Sequence, residues 1–307
     1  MLNQIPFKGN PLIGIAPILS SANLAIANLE SPLTTQKKAT VRKTAKELKA
    51  RSQFLLKGDP RFAKLLALDG IRIVGMANNH CMDYRGAGVA EEIGALNGAQ
   101  ILHTGAGGNA AESAVPAVFK LPNGFRVGVV CALAFVGTSA LRKCTPATTT
   151  EPGINVLNFG GKIDDKAKAK LAAIVANARK NCDFLIIGLH WGIERQPLPT
   201  SYQVQLGRAC IDAGADMVWG HHPHVLEGSE IYHGKPILYS MGNLVSPVPA
   251  ETALAKLRFN GNKLEKLEFI PCSVKGGRVS PNPKGRNAMK PLSEAFDRKY
   301  KSKAARK

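Results

Sequence analysis

Gly214-Ala215-Asp216-Met217-Val218-Trp219-Gly220-His221-His222-Pro223-His224-Val225 decides the reading of this chain. Met217 to Trp219 form a short apolar run that ends in Gly220, and three of the seven histidines follow within four residues. Gly214 and Asp216 close the helix before it. An apolar strand running into Gly-His-His-Pro-His places imidazoles at a strand's C-terminal edge, where open α/β sheets bind their ligands. In an extended segment His222 and His224, two residues apart, share a face while His221 points away. Neutral imidazole is the commonest metal ligand. The competing reading is a polar turn with solvated histidines.

Three further stretches end in the same way. Leu185 to Leu189 is an apolar run that ends in His190-Trp191-Gly192. Ile71 to Ala77 leads into Asn78-Asn79-His80, and Asn23 to Leu29 leads into Glu30. Four separate strands thus finish in residues that can hold a metal or move a proton. Core histidines would have to fall at strand ends by coincidence each time. A metal-assisted hydrolase site accounts for all four.

The order Asn-Leu-Glu-Ser-Pro, Ala-Asn-Asn-His-x-x-Asp, His-Trp-Gly, Gly-His-His-Pro-His-Val and Tyr-Ser-Met-Gly-Asn resembles the CapA family of bacterial capsule and poly-γ-glutamate synthesis proteins. The likeness runs from about Asn23 to Val245 and continues weakly to about Pro271. It implies an α/β fold, a metallophosphoesterase-like layered α/β/β/α sandwich of the calcineurin type. It also implies roles. Glu30 matches an acidic ligand that bridges two ions. Asn79, His190 and His222 match ligands of one ion, and His224 a ligand of the other. His80 matches a histidine that protonates a leaving group or binds the scissile oxygen. Asp83 is placed to orient His80 through its ring N–H. Donors of this kind suit Mn, Fe or Zn.

One element of the pattern is not found. Proteins of this type open with a strand ending in Gly-Asp, whose Asp ligates the first metal. Here no such strand precedes Asn23, and the first Asp is Asp59. The expectation is a sandwich lacking its first strand unless Leu12 to Ile18 supplies it, and one bound ion rather than two. Either the start of the gene lies upstream, or half the site is lost.

The net charge is +19, and 14 of those charges sit in two segments, Gln36 to Lys57 and Lys284 to Lys307. Two such runs favour anionic partners. In the family the first segment forms a flap over the site. Lys43 and Lys46, with Glu194 and Asn243, are therefore the candidate substrate-binding residues. His221 is a structural candidate, and His103 and His233 are surface or packing residues. Six dispersed cysteines without a C-x-x-C pair fit reduced packing residues.

No apolar run reaches the ~20 residues of a membrane helix. Met1 to Asn10 lacks the charged and apolar regions of a signal peptide. The chain as written reads as cytoplasmic, or as exported or membrane-associated if its N-terminus extends further. One domain is expected over 1–272, with a basic tail over 273–307.

The elements alternate in an α/β manner. Met1 to Ser21 reads as loop or short helix, and Thr40 to Ala50 as helix. Asp59 and Pro60 open a helix that Gly70 stops. Gly86 to Leu96 is a helix, and Ala99 to Leu102 a strand. A hairpin turns at Pro122-Asn123-Gly124. Arg142 to Phe159 reads as a surface insertion. Ile163 to Lys180 and Ser201 to Ala213 are helices, and four strands follow between Val225 and Ile270.

Three functions compete. The first is a metal-dependent hydrolase in capsule or poly-γ-glutamate metabolism, cleaving a phosphoester or an amide. The second is a non-catalytic accessory protein that binds an anionic polymer, capsule polysaccharide or poly-γ-glutamate, or a capsule synthase subunit. The third is a nuclease, which no aromatic-interleaved basic patch supports.

Overall fold

A computed structural model describes residues 9–135, 142–157, 159–285 and 289. Its centre is a six-stranded sheet in the order β10-β11-β9-β8-β6-β5. The strands are β5 (Ala117–Lys120), β6 (Arg126–Leu133), β8 (Phe184–His190), β9 (Met217–His221), β10 (Leu226–Tyr232) and β11 (Lys235–Met241). The inner strands β6, β8, β9 and β11 run parallel. A second sheet holds β1 (Ala25–Asn28), β2 (Ile71–Gly75) and β3 (Leu102–Thr104), all parallel. A third holds β12 (Ala250–Asn260), β13 (Lys263–Lys275) and β14 (Arg278–Pro281), all antiparallel. A two-residue strand β4 (Ala106–Gly107) pairs with β7 (Gly153–Ile154).

Strand alternation sorts the side chains into two cores. Val127, Val129, Cys131 and Leu133 of β6, with Phe184 and Ile186 of β8, face β1 and β2. Val130 and Ala132 of β6, with Leu185, Ile187 and Leu189 of β8, face two helices. This period of two is what a strand buried on both faces requires. Those helices are numbered after five shorter or earlier ones: α1 (Ala16–Ser20), α2 (Ala45–Lys49), α3 (Phe62–Leu68), α4 (Arg85–Gly98) and α5 (Ala110–Ser113). They are α6 (Asp165–Arg179) and α7 (Ser201–Asp212). On α6, Ala167, Leu171, Val175 and Ala178 form the buried stripe, and Asp164 caps its N-terminus by accepting the Ala167 N–H. Thr200 and Gln203 make a capping box on α7. Because α3 and α4 pack on the second sheet, the layers run α/β/β/α as expected.

Leu12 to Ile18 does not supply a strand. It forms a turn and the start of α1, and among the described residues no strand precedes Ala25. In the described residues β1 is an edge of its sheet and β12 an edge of the third sheet. Both line one apolar cleft of about 770 Å³, together with Val127, Phe184 and Ile186.

Several boundaries differ from the sequence reading. The folded part runs past Cys272, because β13 and β14 bury Val274 and Val279. Met289 is buried too, while the remainder of the tail beyond Gly285 lies outside the described residues. Arg142 to Phe159 is not a surface insertion, since Cys144, Ile154 and Leu157 are buried in it and β7 pairs with β4. Asp59 accepts the Arg61 N–H in the turn ahead of α3 instead of capping the helix itself. The short strand expected at Ala99 to Leu102 lies at Leu102–Thr104. All six cysteines are free and buried. Burial alone raises the Cys131 and Cys210 thiols to about 12, which keeps them unreactive.

Candidate metal centre

The parallel strands of both sheets point their C-terminal ends at one place. His190 ends β8 and stands in register with His221 at the end of β9. The loops after β1 and β2 bring Glu30 and Asn79 to the same spot. Asn78, fully buried, ties those two loops together. Its side chain donates to the Leu29 carbonyl at 2.9 Å and accepts the His80 N–H at 3.1 Å.

Glu30, Asn79, His190, His222 and His224 converge although they span most of the chain. His190 Nε2 lies 2.8 Å from Asn79 Oδ1 and 3.7 Å from Glu30 Oε1. The rings of His190 and His222 are 4.9 Å apart, centroid to centroid. Glu30, His190 and His222 offer ligand atoms that all lie within 4.8 Å of one another. Two donors about 2 Å from one ion stand about 3–4 Å apart, so these spacings suit a shared cation. Phe135 packs on both rings and forms an apolar wall.

Buried polar atoms here lack partners. Glu30 Oε1, His190 Nδ1 and His222 Nδ1 make no hydrogen bond. Such atoms are costly unless something satisfies them. Burial pushes His222 down to about 4, with the other histidines adding to the effect against the pull of Glu30. Burial also drives His190 well below the ordinary imidazole value. Both rings are therefore neutral at neutral pH and present lone pairs. Burial works upward on Glu30, but His224, His80 and His222 outweigh it, and the carboxyl stays ionised. An ionised carboxylate, an amide oxygen and neutral imidazoles are the donor set that a divalent Mn, Fe or Zn takes. The residues present fit such an ion.

His224 is oriented by Asn243. Its Nδ1 lies 2.8 Å from Asn243 Oδ1, and its Nε2 lies 3.9 Å from Glu30 Oε1. An amide oxygen only accepts, so Nδ1 carries the proton and Nε2 keeps its lone pair. Asn243 thus acts through His224. Glu194, though exposed, places its carboxylate within 4.8 Å of ligand atoms on His222 and His224.

The convergence of His222 and His224 has a different cause from the extended segment read in the sequence. Strand β9 stops at His221, and both residues take positive φ, 99° and 61°. His221 turns away, buries its Nε2 without a partner and stacks edge-on against Trp219.

Lys43 corrects another expectation. It faces inward, with 1 % of its side chain exposed. Its ammonium pairs with Asp83, donates to the Phe54 carbonyl at 3.0 Å and lies 3.1 Å from His80 Nδ1. An ammonium so enclosed cannot meet a polymer. It ties the basic segment to the Asp83–His80 pair instead. Asp83 also accepts His80 Nδ1 at 2.8 Å and the Leu56 N–H at 2.7 Å. Burial lowers the pKa of His80 and so favours its neutral ring. Lys46, by contrast, is exposed on α2. Sequence reasoning missed the buried Lys43 and also Phe135, which follows an apolar strand and carries no polar signal.

The family model for the bacterial capsule synthesis protein PGA_cap matches residues 8–248, which include every donor named above. The chain belongs to the PGA_cap family. Relatives in that line include the capsule biosynthesis protein CapA of Bacillus anthracis, 29 % identical over 88 % of this chain and 62 % of that protein. The PGA biosynthesis protein CapA of Bacillus subtilis is 28 % identical over 90 % of this chain and 67 % of that protein. A probable polyglutamine synthesis accessory protein of Mycobacterium tuberculosis is 32 % identical over 58 % of this chain and 47 % of its own length. This PGA_cap chain thus spans about two thirds or less of the relatives it matches. Among its described residues no helix is long and apolar enough to cross a membrane.

Proposed function

We propose that this chain serves capsule or poly-γ-glutamate synthesis as a CapA-type protein with a metal-dependent hydrolytic site. The observation that carries the proposal is the convergence of Glu30, Asn79, His190 and His222, with buried donor atoms left unpartnered. When bound, a divalent ion supplies polarisation of a phosphoryl or carbonyl oxygen and activation of water. Glu30, Asn79, His190 and His222 would hold it. Phe135 excludes water from one side. His80, steadied by Asp83, holds a ring lone pair for a proton near the reacting groups. The substrate class is a phosphoester or an amide of the anionic polymer.

A second reading, polymer binding without turnover, draws on the exposed Lys37, Lys38, Arg42, Lys46 and Lys49 of the segment that Lys43 anchors. Capsule synthase subunits are the protein partners that either reading would require.

The test combines metal analysis with two assays. Purified chain, loaded with Mn or Zn, is assayed on an aryl phosphodiester and on poly-γ-glutamate, beside His190→Ala. Bound metal and turnover, both lost in the variant, support the hydrolase. Bound polymer with no turnover supports the accessory reading. Absence of metal in the parent chain would refute the site.

A further inference from the structure

We propose that Lys43 is a positioning residue for His80: acting through Asp83, it holds the imidazole in place and makes the site depend on the docking of the basic segment. The inference rests on the role given to His80 above and names what that role requires.

Asp83 is gripped by the segment from both ends. Thr40 N donates to its carbonyl at 2.8 Å. Leu56 N donates to its Oδ2 at 2.7 Å, and the Lys43 ammonium pairs with its Oδ1. His80 Nδ1 lies 2.8 Å from the same Oδ2. A carboxylate only accepts, so Nδ1 carries the proton and Nε2 keeps the lone pair. Nδ1 and the ammonium stand 3.1 Å apart because both reach one carboxylate. His80 is near enough to Glu30 to help keep that carboxyl ionised, which sets the ring beside the donor group.

The rest of His80 is held independently of the segment. Its backbone N–H is fixed by the Asn78 side chain, and Asp83 N closes the turn on the His80 carbonyl at 2.9 Å. Only the ring's hydrogen bond relies on the carboxylate that Lys43 and Leu56 hold. The metal donors do not rely on it: Asn79 and His190 meet each other, and Asn243 holds His224. Removal of the Lys43 ammonium therefore frees the imidazole and leaves the donors where they are. Between its anchors the segment has little to hold it down. Helix α2 buries no residue, and Val41 and Phe54 are exposed. Stretches with so few buried contacts are the ones that open locally. Lys43, turned inward and donating to the Phe54 carbonyl at 3.0 Å, is what closes this one. A purely structural ion pair predicts lost stability and no change at His80.

The experiment uses the full chain with isotope-labelled histidine, beside Lys43→Met. In the metal-free chain the His80 Nδ1 proton, bonded to a buried carboxylate, is expected as a far-downfield resonance, assigned by its disappearance in His80→Gln. Lys43→Met should lose it while the other histidine signals stay. Both chains are then loaded with Mn(II), counted for metal by mass spectrometry and assayed on an aryl phosphodiester. Lys43→Met should keep its metal, hold KM within about twofold and lose kcat about 10- to 100-fold. Lys43→Arg, which keeps a donor cation, should restore the resonance and part of kcat. A resonance that survives in Lys43→Met, or is missing from the parent, overturns the inference. Loss of metal would make Lys43 a support of the donors, and a raised KM with kcat kept would make it a substrate contact; either overturns the inference too. A resonance lost in Lys43→Met from a parent that turns over nothing refutes the hydrolytic reading and leaves the positioning role standing. Should circular dichroism show Lys43→Met unfolded, Lys43→Gln, which keeps an amide donor, reads the same signals.

Discussion

Replacing Lys43 with Met tests whether the basic segment is bolted to the site or merely lies over it. Met keeps the length and apolar body of the side chain and removes only the ammonium. Lys43 and Asp83 are each about 1 % exposed, so neither charge has water to fall back on. Breaking a buried pair by removing one partner costs about 3–5 kcal/mol, because the survivor keeps an uncompensated charge. Asp83 still has the Leu56 N–H and His80 Nδ1. The loss should therefore fall at the lower end, about 3 kcal/mol. With a urea dependence of roughly 3 kcal/mol per molar, the unfolding midpoint should drop by about 1 M. The double variant Lys43→Met/Asp83→Asn removes both charges, and its loss should be smaller than the sum of the single losses by about 1 kcal/mol or more. Trypsin gives a second readout, because release of Lys43 from the Phe54 carbonyl frees the chain around Arg51 and should speed cleavage there. An unmoved midpoint, or strict additivity with unchanged proteolysis, would refute the bolt.

Three other outcomes are expected. Asn243→Ala leaves His224 Nδ1 without its acceptor and should weaken metal binding about 10- to 100-fold by calorimetry; an unchanged isotherm counts against Asn243. Glu92 is buried, and desolvation raises its carboxyl from 4.5 to about 8. Between those values the unfolded chain ionises while the folded one stays protonated, so stability falls as pH rises, by about 1.4 kcal/mol per unit. Glu92→Gln should flatten that slope and raise the urea midpoint at pH 7; an unaltered slope would show that Glu92 is ionised in the fold. Charge reversal at the exposed Lys38 and Lys46 should weaken poly-γ-glutamate binding and reduce its salt dependence, whereas a larger effect from deleting Lys299 to Lys307 would move the polymer to the tail.

Much of the framework could be read before the structure. Apolar runs that end in His190, His221 and Glu30 mark strand ends because parallel strands buried on both faces leave no other place for a polar residue. The helix expected over Ile163 to Lys180, found at Asp165–Arg179, and the turn at Pro122-Asn123-Gly124 are local signals and survive. What stayed hidden depends on contacts distant in sequence. Lys43 looks like its neighbours in a run of eight basic residues. Only the approach of Asp83, 40 residues away, decides that this one is buried and Lys46 is not. The same holds for Arg142 to Phe159, whose Thr, Pro and Gly content reads as surface loop. Its buried Ile154 becomes visible only through pairing with Ala106.

The turn at His222 and His224 shows how a correct placement can rest on the wrong local cause. Alternation along a strand would bring the two rings to one face at no cost. The chain instead leaves β9 at His221 and holds both residues at positive φ. For His222 this also runs against the extended conformation that a following proline favours. Each such residue costs about 1–3 kcal/mol and persists only where its surroundings over-determine it. Those surroundings can be named. A Cβ on Gly220 would lie 2.1 Å from the Tyr239 carbonyl oxygen, so only glycine lets β9 pass. The same oxygen accepts Trp191 Nε1 at 2.9 Å, which fixes the chain just after His190. Backbone bonds from Trp191 and Arg195 then hold the turn from the outside. A solvated polar turn has no need of such restraint and would relax to ordinary φ values. Strain at two adjacent donors, maintained by a glycine, a tryptophan and a clamped loop, is what a site built to hold its imidazoles at one point requires.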